Sequence, residues 1–291
     1  MDLKELFKKI RQIEIRTKGL VEDVFGGEYH TAFKGQGIEF AEVRPYQFGD
    51  DIRSIDWNVT ARMGETYIKK FEEEREQTLM LVVDISGSES FGSRYKFKRE
   101  VAAEISAIIA FSAIKNNDKV GLLLFSDQVE LFVPPKKGRR HVLRLIRDLY
   151  AHEQRSFGTD ITVALNRIIH VLKRRSIVLL VSDFFDEAYE KPLRAVASRH
   201  DTIAVHLHDP REEELPAVGL IDLTDAETGE TITIDTGYAK TRQAYAQDAT
   251  SHRTQTSELL RRSRVDQVYV QTDESYVEPL IQFFRRRNKM A

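Results

Sequence analysis

The stretch that most constrains this chain is Leu79 to Ser88, which reads Leu-Met-Leu-Val-Val-Asp-Ile-Ser-Gly-Ser. Leu79 to Val83 is an unbroken apolar run of good strand formers. A run this short, stopped by an acid, predicts a strand buried on both faces, as in a parallel sheet covered by helices. The strand leads directly into Asp84, Ser86 and Ser88, three oxygen-bearing side chains on alternate residues, with Gly87 free to turn. From Arg94 the pattern becomes helical. A strand that ends in oxygens before a helix puts those oxygens at the carboxyl edge of the sheet, where open α/β sheets bind ligands. Oxygen donors without sulfur or imidazole suit hard cations such as Mg²⁺ and Ca²⁺.

The same alternation continues downstream. A helix is expected over about Tyr95–Lys115, apolar on most sides and therefore central. Strands are expected at Val120–Phe125 and Val129–Val133. The link Ser126-Asp127-Gln128 is too short for a crossover, so this pair must be antiparallel. A basic helix over Arg139–Leu149 follows, then a helix opened by Phe157-Gly-Thr-Asp160, with Ile161, Leu165, Ile168 and Leu172 on one face. Further expectations are a buried strand at Ile177–Val181 ending in Ser182-Asp183, a helix at Tyr189–Arg199 and a strand at Thr202–Leu207. The remainder reads as a hairpin within 218–235, a polar helix over 238–263, a strand at Val265–Gln271 and a closing helix at Tyr276–Arg287. The fold class expected is α/β: a doubly wound, mostly parallel sheet with one antiparallel edge strand. It spans residues 77–291, with a hairpin insertion at 210–236.

Residues 1–76 are expected to form an N-terminal helix, with Leu3, Leu6, Phe7, Ile10 and Ile13 on one face, and an extended β arm. Gly35-x-Gly37 lacks the third glycine of a dinucleotide loop. The arm mixes charges and aromatics with no single period. One reading packs Tyr46, Phe48 and Trp57 onto the main domain. The other makes the arm a docking surface, because Trp, Tyr and Arg are common interface anchors. The segment 66–76 is read as a strand.

Composition excludes several classes. The chain has no cysteine, which rules out disulfides, thiolate metal sites and Cys nucleophiles and suits a cytoplasmic location. Its net charge of −2 supplies no global attraction to nucleic acid. No apolar run reaches the roughly 20 residues needed to span a bilayer, and the charged start is no signal peptide. The basic clusters Lys136-Lys137, Arg139-Arg140, Lys173-Arg174-Arg175 and Arg285 to Arg287 read as solvated helix ends, so no nucleic-acid partner is expected. His206-x-His208 reads as alternate residues on a half-exposed strand face rather than a metal pair.

Three loops should meet at the carboxyl edge, contributing Asp84, Ser86 and Ser88, then Thr159, then Asp183. Two carboxylates and three hydroxyls suit an octahedral divalent cation, Mg²⁺ before Mn²⁺ or Ca²⁺, that keeps an exposed position. Each residue has a plainer reading. Thr159 could serve as a helix N-cap, Ser86 and Ser88 as turn residues, and Asp183 or Asp186 as caps of the next helix.

Asp84-x-Ser86-x-Ser88, Thr159 and Asp183 together resemble the metal-ion-dependent adhesion site of von Willebrand factor A domains. That resemblance implies a metal held directly or through water by these residues and completed by a ligand carboxylate. Glu89 departs from it, since many A domains carry a small or apolar residue there. The segment Tyr46-x-x-Gly49-Asp50-Asp51-x-Arg53-x-Ile55-Asp56-Trp57 with Thr60-Ala-Arg62 resembles the signature of the bacterial and archaeal domain of unknown function 58 family. This second resemblance implies a non-enzymatic partner of a MoxR-type AAA+ ATPase, chaperone-like toward an unidentified client. Arg44, Tyr46, Asp50, Asp51, Arg53, Asp56, Trp57 and Arg62 are the candidate partner-binding residues. The rival class is a phosphatase or phosphotransferase of the haloacid dehalogenase type, with Asp84 as nucleophile and Asp183 on Mg²⁺. That chemistry wants an acid two residues after the nucleophile, where this chain has Ser86.

Overall fold

The computed structural model describes residues 11, 12, 15, 19–21, 29, 32–33, 37–74, 76–90 and 97–290. The expected N-terminal amphipathic helix lies largely, and Gly35 wholly, outside these residues. The chain divides into two compact units, residues 33–76 and the rest. The smaller unit ends at Glu76, and Val21, Tyr29 and Ala32 group with the larger unit rather than with the arm. In the larger unit the Tyr29 ring lies 6.3 Å from that of Phe284, and Lys115 donates to the Val21 carbonyl.

In the smaller unit, β1 (Gly37–Pro45) pairs antiparallel with β2 (Tyr67–Glu74). Between them lie a 3₁₀ turn at Ile52–Ser54 and the short helix α1 (Trp57–Met63). The acids of the signature build this turn-rich segment. Asp50 holds Arg44 through both carboxylate oxygens (2.7 and 2.9 Å), and Gln47 N–H donates to Asp50. Asp51 caps the 3₁₀ turn, and Asp56 caps α1 by accepting from Asn58 and Val59. Gly64, at φ 75°, closes α1 in the left-handed region.

The larger unit is a six-stranded sheet flanked by helices. Its strands are β3 (Thr78–Asp84), β4 (Lys119–Phe125), β5 (Val129–Lys136), β6 (Ile177–Ser182), β7 (Asp201–His208) and β10 (Asp266–Gln271). Their order is β10-β7-β6-β3-β4-β5, all parallel except the edge strand β5. This is the expected doubly wound class, including the antiparallel pair forced by the short link. From β3 the chain proceeds outward through β4 and β5, then returns to β6 on the other side. The order therefore reverses beside β3, which makes the gap between the ends of β3 and β6 the switch point.

Burial explains the strand assignments. Leu79 to Asp84 and Ile177 to Ser182 are buried throughout. The helix α2 (Lys98–Lys115) is buried on most of its circumference, including Val101, Ile105, Ile108 and Ala110. The amphipathic helices α3 (Arg139–Ala151), α4 (Ile161–Val171), α5 (Glu190–Arg199) and α8 (Val277–Met290) cover the sheet with one face each. A short helix α6 (Pro210–Glu213) follows β7. Next comes the hairpin of β8 (Leu220–Thr224) and β9 (Thr231–Asp235), then the long polar helix α7 (Ala239–Arg262).

Candidate metal centre

Asp84 ends β3 and Ser182 ends β6, and parallel pairing of the two strands sets Asp84 abreast of Ser182. Ser182 Oγ donates to Asp84 Oδ2 at 2.7 Å, while Ser86 N–H donates to Asp84 Oδ1 at 2.9 Å. Beyond Asp84 the chain makes a 3₁₀ turn at Gly87–Ser90, which folds Ser86, Ser88 and Glu89 back over the strand end. The Ser86 and Ser88 hydroxyls lie 3.1 Å apart, and Ser88 also hydrogen-bonds Asp183. One oxygen each of Asp84, Glu89 and Asp183 falls within 4.8 Å of the others, and all three residues are buried.

Two basic facts govern the electrostatics. First, Lys98, at the start of α2 and fully buried, donates to Asp183 Oδ2 at 2.8 Å and pairs with Glu212 as well. Second, both oxygens of Glu89 are buried with no hydrogen-bond partner among the described residues. One ammonium thus faces four carboxylates. Burial, then the Asp183 charge, raises the Asp84 carboxyl above its ordinary range. Burial, then Asp183 and Asp84, raises Glu89 further. Burial also pushes Asp183 upward, but the Lys98 ammonium and its hydrogen bond outweigh this and leave Asp183 low. For Lys98, burial favours the neutral amine, yet Asp183, Glu212 and Glu89 outweigh burial and keep it charged. A buried carboxylate with no donor is costly, so without a cation these acids are pushed toward their protonated forms. An all-oxygen donor set of this kind is one that could hold a hard divalent ion.

The loop that carries Thr159 is tied to the Asp84 loop, because Gly87 N–H donates to the Phe157 carbonyl at 2.8 Å. Thr159 is not the cap of α4. Asp160 takes that role, accepting from Val163 N–H, while Asp186 accepts from Ile161 N–H. Asp186 therefore braces α4 rather than capping α5, whose N-cap is Tyr189. The Thr159 hydroxyl instead donates to Glu227 Oε1 at 2.5 Å, from the tip of the β8–β9 hairpin.

Glu89, in sequence only a departure from the adhesion-site pattern, lies among the acids. Lys98, Ser182, Glu212 and Glu227 were not identified. Signals for two of them exist. Lys98 is in helical register with Val101 and Ile105, an odd place for a free lysine. Asp209-Pro210-x-Glu212 is a capping box that aims Glu212 back at its own helix start. The two histidines are not half exposed. His206 and His208 are both buried, and His206 is pressed between the Phe184 and Tyr269 rings. Among the described residues the acid cluster is the one group of three or more Asp, Glu or His side chains whose ligand atoms lie within 4.8 Å of one another.

The candidate partner-binding residues divide into two groups. Arg44, Asp50, Asp51 and Asp56 are engaged in their own turns, and Tyr46 N–H pairs with the Thr66 carbonyl. Arg53, Trp57 and Arg62 are exposed. Trp57 is 70 % exposed and Phe48 fully so, because a two-stranded unit with one short helix has too little interior to take them.

Residues 42–255 match the model of the family described as protein of unknown function DUF58. The chain belongs to that family. The DUF58 match spans both the signature arm and the acid cluster. Among curated proteins, the uncharacterized protein Rv1480 of Mycobacterium tuberculosis is 32 % identical over 298 residues, covering all of this chain and 93 % of that one. The uncharacterized protein YeaD of Bacillus subtilis is 31 % identical over 109 residues, covering 38 % of this chain and 25 % of YeaD. Among solved structures, the conserved hypothetical protein BatB from Bacteroides thetaiotaomicron aligns at 16 % identity and TM-score 0.47, over 73 % of this chain and 99 % of that one. The SpRpn10 VWA domain aligns at 12 % identity and TM-score 0.39, over 71 % and 95 %. No helix among the described residues is long and apolar enough to cross a membrane.

Proposed function

We propose that this chain is a non-enzymatic, metal-dependent protein-binding module of von Willebrand A type. Its divalent cation, Mg²⁺ by preference, is held by Asp84, Ser86, Ser88, Thr159 and Asp183, with Glu89 as an added acid. The observation that carries the reading is Glu89: a fully buried carboxylate without a donor, beside two more acids, on the switch-point edge of the sheet. When bound, the ion supplies an electrophilic centre that accepts a carboxylate from outside. The chain does the positioning. Ser182 and the Ser86 amide fix Asp84, Lys98 fixes Asp183, and the serine hydroxyls add donors without adding charge.

The partner is a protein that offers Glu or Asp to this edge, and a MoxR-type AAA+ ATPase acting on a client protein is the partner we assign. Exposed Trp57, Phe48, Arg53 and Arg62 on the smaller unit supply a second contact surface of the composition that interfaces favour. Titration calorimetry tests both levels. Mg²⁺ or Mn²⁺ should bind wild type and fail on Asp84→Asn. The purified ATPase should bind in Mg²⁺ and dissociate in EDTA. Metal binding without metal-dependent ATPase binding would refute the partner, and no metal binding would refute the module.

A further inference from the structure

The β8–β9 hairpin leans on the proposed metal loop by its tip. Built onto Gly87, a Cβ atom would come within 2.3 Å of the Ala226 carbonyl oxygen and 3.2 Å of that of Phe157. Glycine at 87 is therefore what lets the hairpin backbone lie against the loop that carries Ser86 and Ser88. The next residue, Glu227, receives the Thr159 hydroxyl. The tip is built to present that side chain. Asp225 accepts from Glu227 N–H at 2.9 Å and from the Thr228 hydroxyl at 2.8 Å, and Gly229 takes φ 73° to close the turn. The two strands contribute little else. None of residues 220–235 is buried, and Leu220 and Ile232 are 72 % and 60 % exposed. A bare two-stranded hairpin is marginally stable in water, so contacts at its two ends decide where it rests. Its base is pinned by Thr236, which bonds the Gly219 carbonyl through both N–H and hydroxyl.

We propose that Glu227 is the chain's own carboxylate for this site: it occupies the position a partner acid takes, and partner binding displaces the hairpin tip. The inference rests on the metal-site reading above. It assigns the hairpin a function, an internal ligand that keeps the cation's open face covered until a competing carboxylate arrives. The tip can leave without disturbing the core, since it contributes nothing to it.

Mn²⁺ serves as the probe, read by water-proton relaxation of the bound ion and by hydrogen exchange of amides 223–232. Wild type, Glu227→Gln and Glu230→Gln are compared, the last removing the same charge from the same turn. Glu227→Gln should raise the relaxation by admitting water to the ion and should make it fall again on adding sodium acetate. Loss of a charge-assisted hydrogen bond should also speed exchange at the tip about tenfold or more. Glu230→Gln should match wild type in both readouts. If Mn²⁺ binds all three proteins and Glu227→Gln matches wild type, or Glu230→Gln reproduces its effect, the internal ligand is refuted and the metal site stands. Faster exchange with unchanged relaxation also refutes it, leaving a docked tip that is no ligand. If wild type fails to bind Mn²⁺, the metal site falls and the inference with it.

Discussion

Glu89→Gln separates the cost of the acid cluster from its use. In the metal-free protein Glu89 lies within 4.8 Å of carboxylate oxygens on Asp84 and Asp183. At an effective dielectric of 20, like charges at that separation repel by about 3.5 kcal/mol per pair. Lys98 offsets part of this, and protonation relieves more. What remains is the cost of an acid that must either repel its neighbours or hold a proton at neutral pH, about 1–3 kcal/mol, which a neutral amide does not bear. Replacing the acid by a neutral isostere should therefore raise metal-free stability by about that amount, or about 2–10 °C in Tm for a domain of this size. In metal the benefit shrinks. At Mg²⁺ a hundred times its dissociation constant, wild type gains about 2.7 kcal/mol. If the variant binds about 10–100-fold more weakly, as lost metal-site partners typically cause, its gain at the same Mg²⁺ falls to about 0.4–1.4 kcal/mol. Thermal melting of both proteins in EDTA and in Mg²⁺ measures all four states. A variant that is less stable than wild type in EDTA, or that keeps the full Mg²⁺ shift, would refute the account of Glu89 as an uncompensated acid that a cation satisfies.

Three further outcomes are expected. The Asp84 carboxyl is pushed from 3.8 to about 7 by burial and the Asp183 charge, and Glu89 moves the same way. At these two acids the native state then holds more protons than the unfolded chain, so they withdraw metal-free stability as pH rises from about 4 through 7. Asp183, which is shifted down, adds its stability in full above about pH 4, whereas His141, His200 and His206, whose imidazoles burial holds low, give an opposite slope up to about pH 6.5. Denaturant titrations in EDTA at pH 5 and 8 check this by difference: wild type should lose stability relative to Glu89→Gln over the interval, and an equal change in the two proteins would contradict it. Thr159→Ala should leave Tm within about 2 °C, since Asp160 caps α4 and surface changes cost about 0.5 kcal/mol or less, yet it should abolish Mg²⁺-dependent partner binding in calorimetry. Trp57→Ala should leave stability and metal affinity near wild type, because the ring is largely exposed, while weakening ATPase binding about tenfold or more; unchanged binding by calorimetry would remove the arm from the interface.

The sheet was legible because its signals are local. Leu79–Val83 and Ile177–Val181 are continuous apolar runs closed by polar residues, and the three-residue link before Val129 permits only an antiparallel return. Element ends moved by a few residues, as when α4 begins after Asp160 and α8 runs to Met290 rather than Arg287. What the sequence hid is long-range. Lys98 meets Glu212 across 114 positions, and Thr159 meets Glu227 across 68, with no spacing rule to announce either. The arm was less legible for a different reason. Its aromatics fit either burial or exposure, and the choice depends on how much interior the unit around them can offer. The acids of the same segment, which looked like recognition residues, are mostly needed to hold its turns.

The reading as a phosphatase meets its obstacle at Asp84 itself. A carboxylate nucleophile must present a free oxygen to an incoming phosphorus. Here Oδ1 accepts from the Ser86 amide and Oδ2 from the Ser182 hydroxyl, and the residue has no exposure to solvent. The residue two places on is Ser86, whose hydroxyl faces Ser88 and has no acidic proton to give. Moving Asp84 to attack would break two buried hydrogen bonds, each costing about 1–3 kcal/mol when a buried partner is left unpaired. The oxygens left at this edge are those of Glu89, which has no partner of its own, and the hydroxyls of Ser88 and Thr159, none of them an acid placed to protonate a leaving group beside Asp84. Asp84 as placed is a fixed hydrogen-bond acceptor, and the phosphatase reading would have to undo that before its first step.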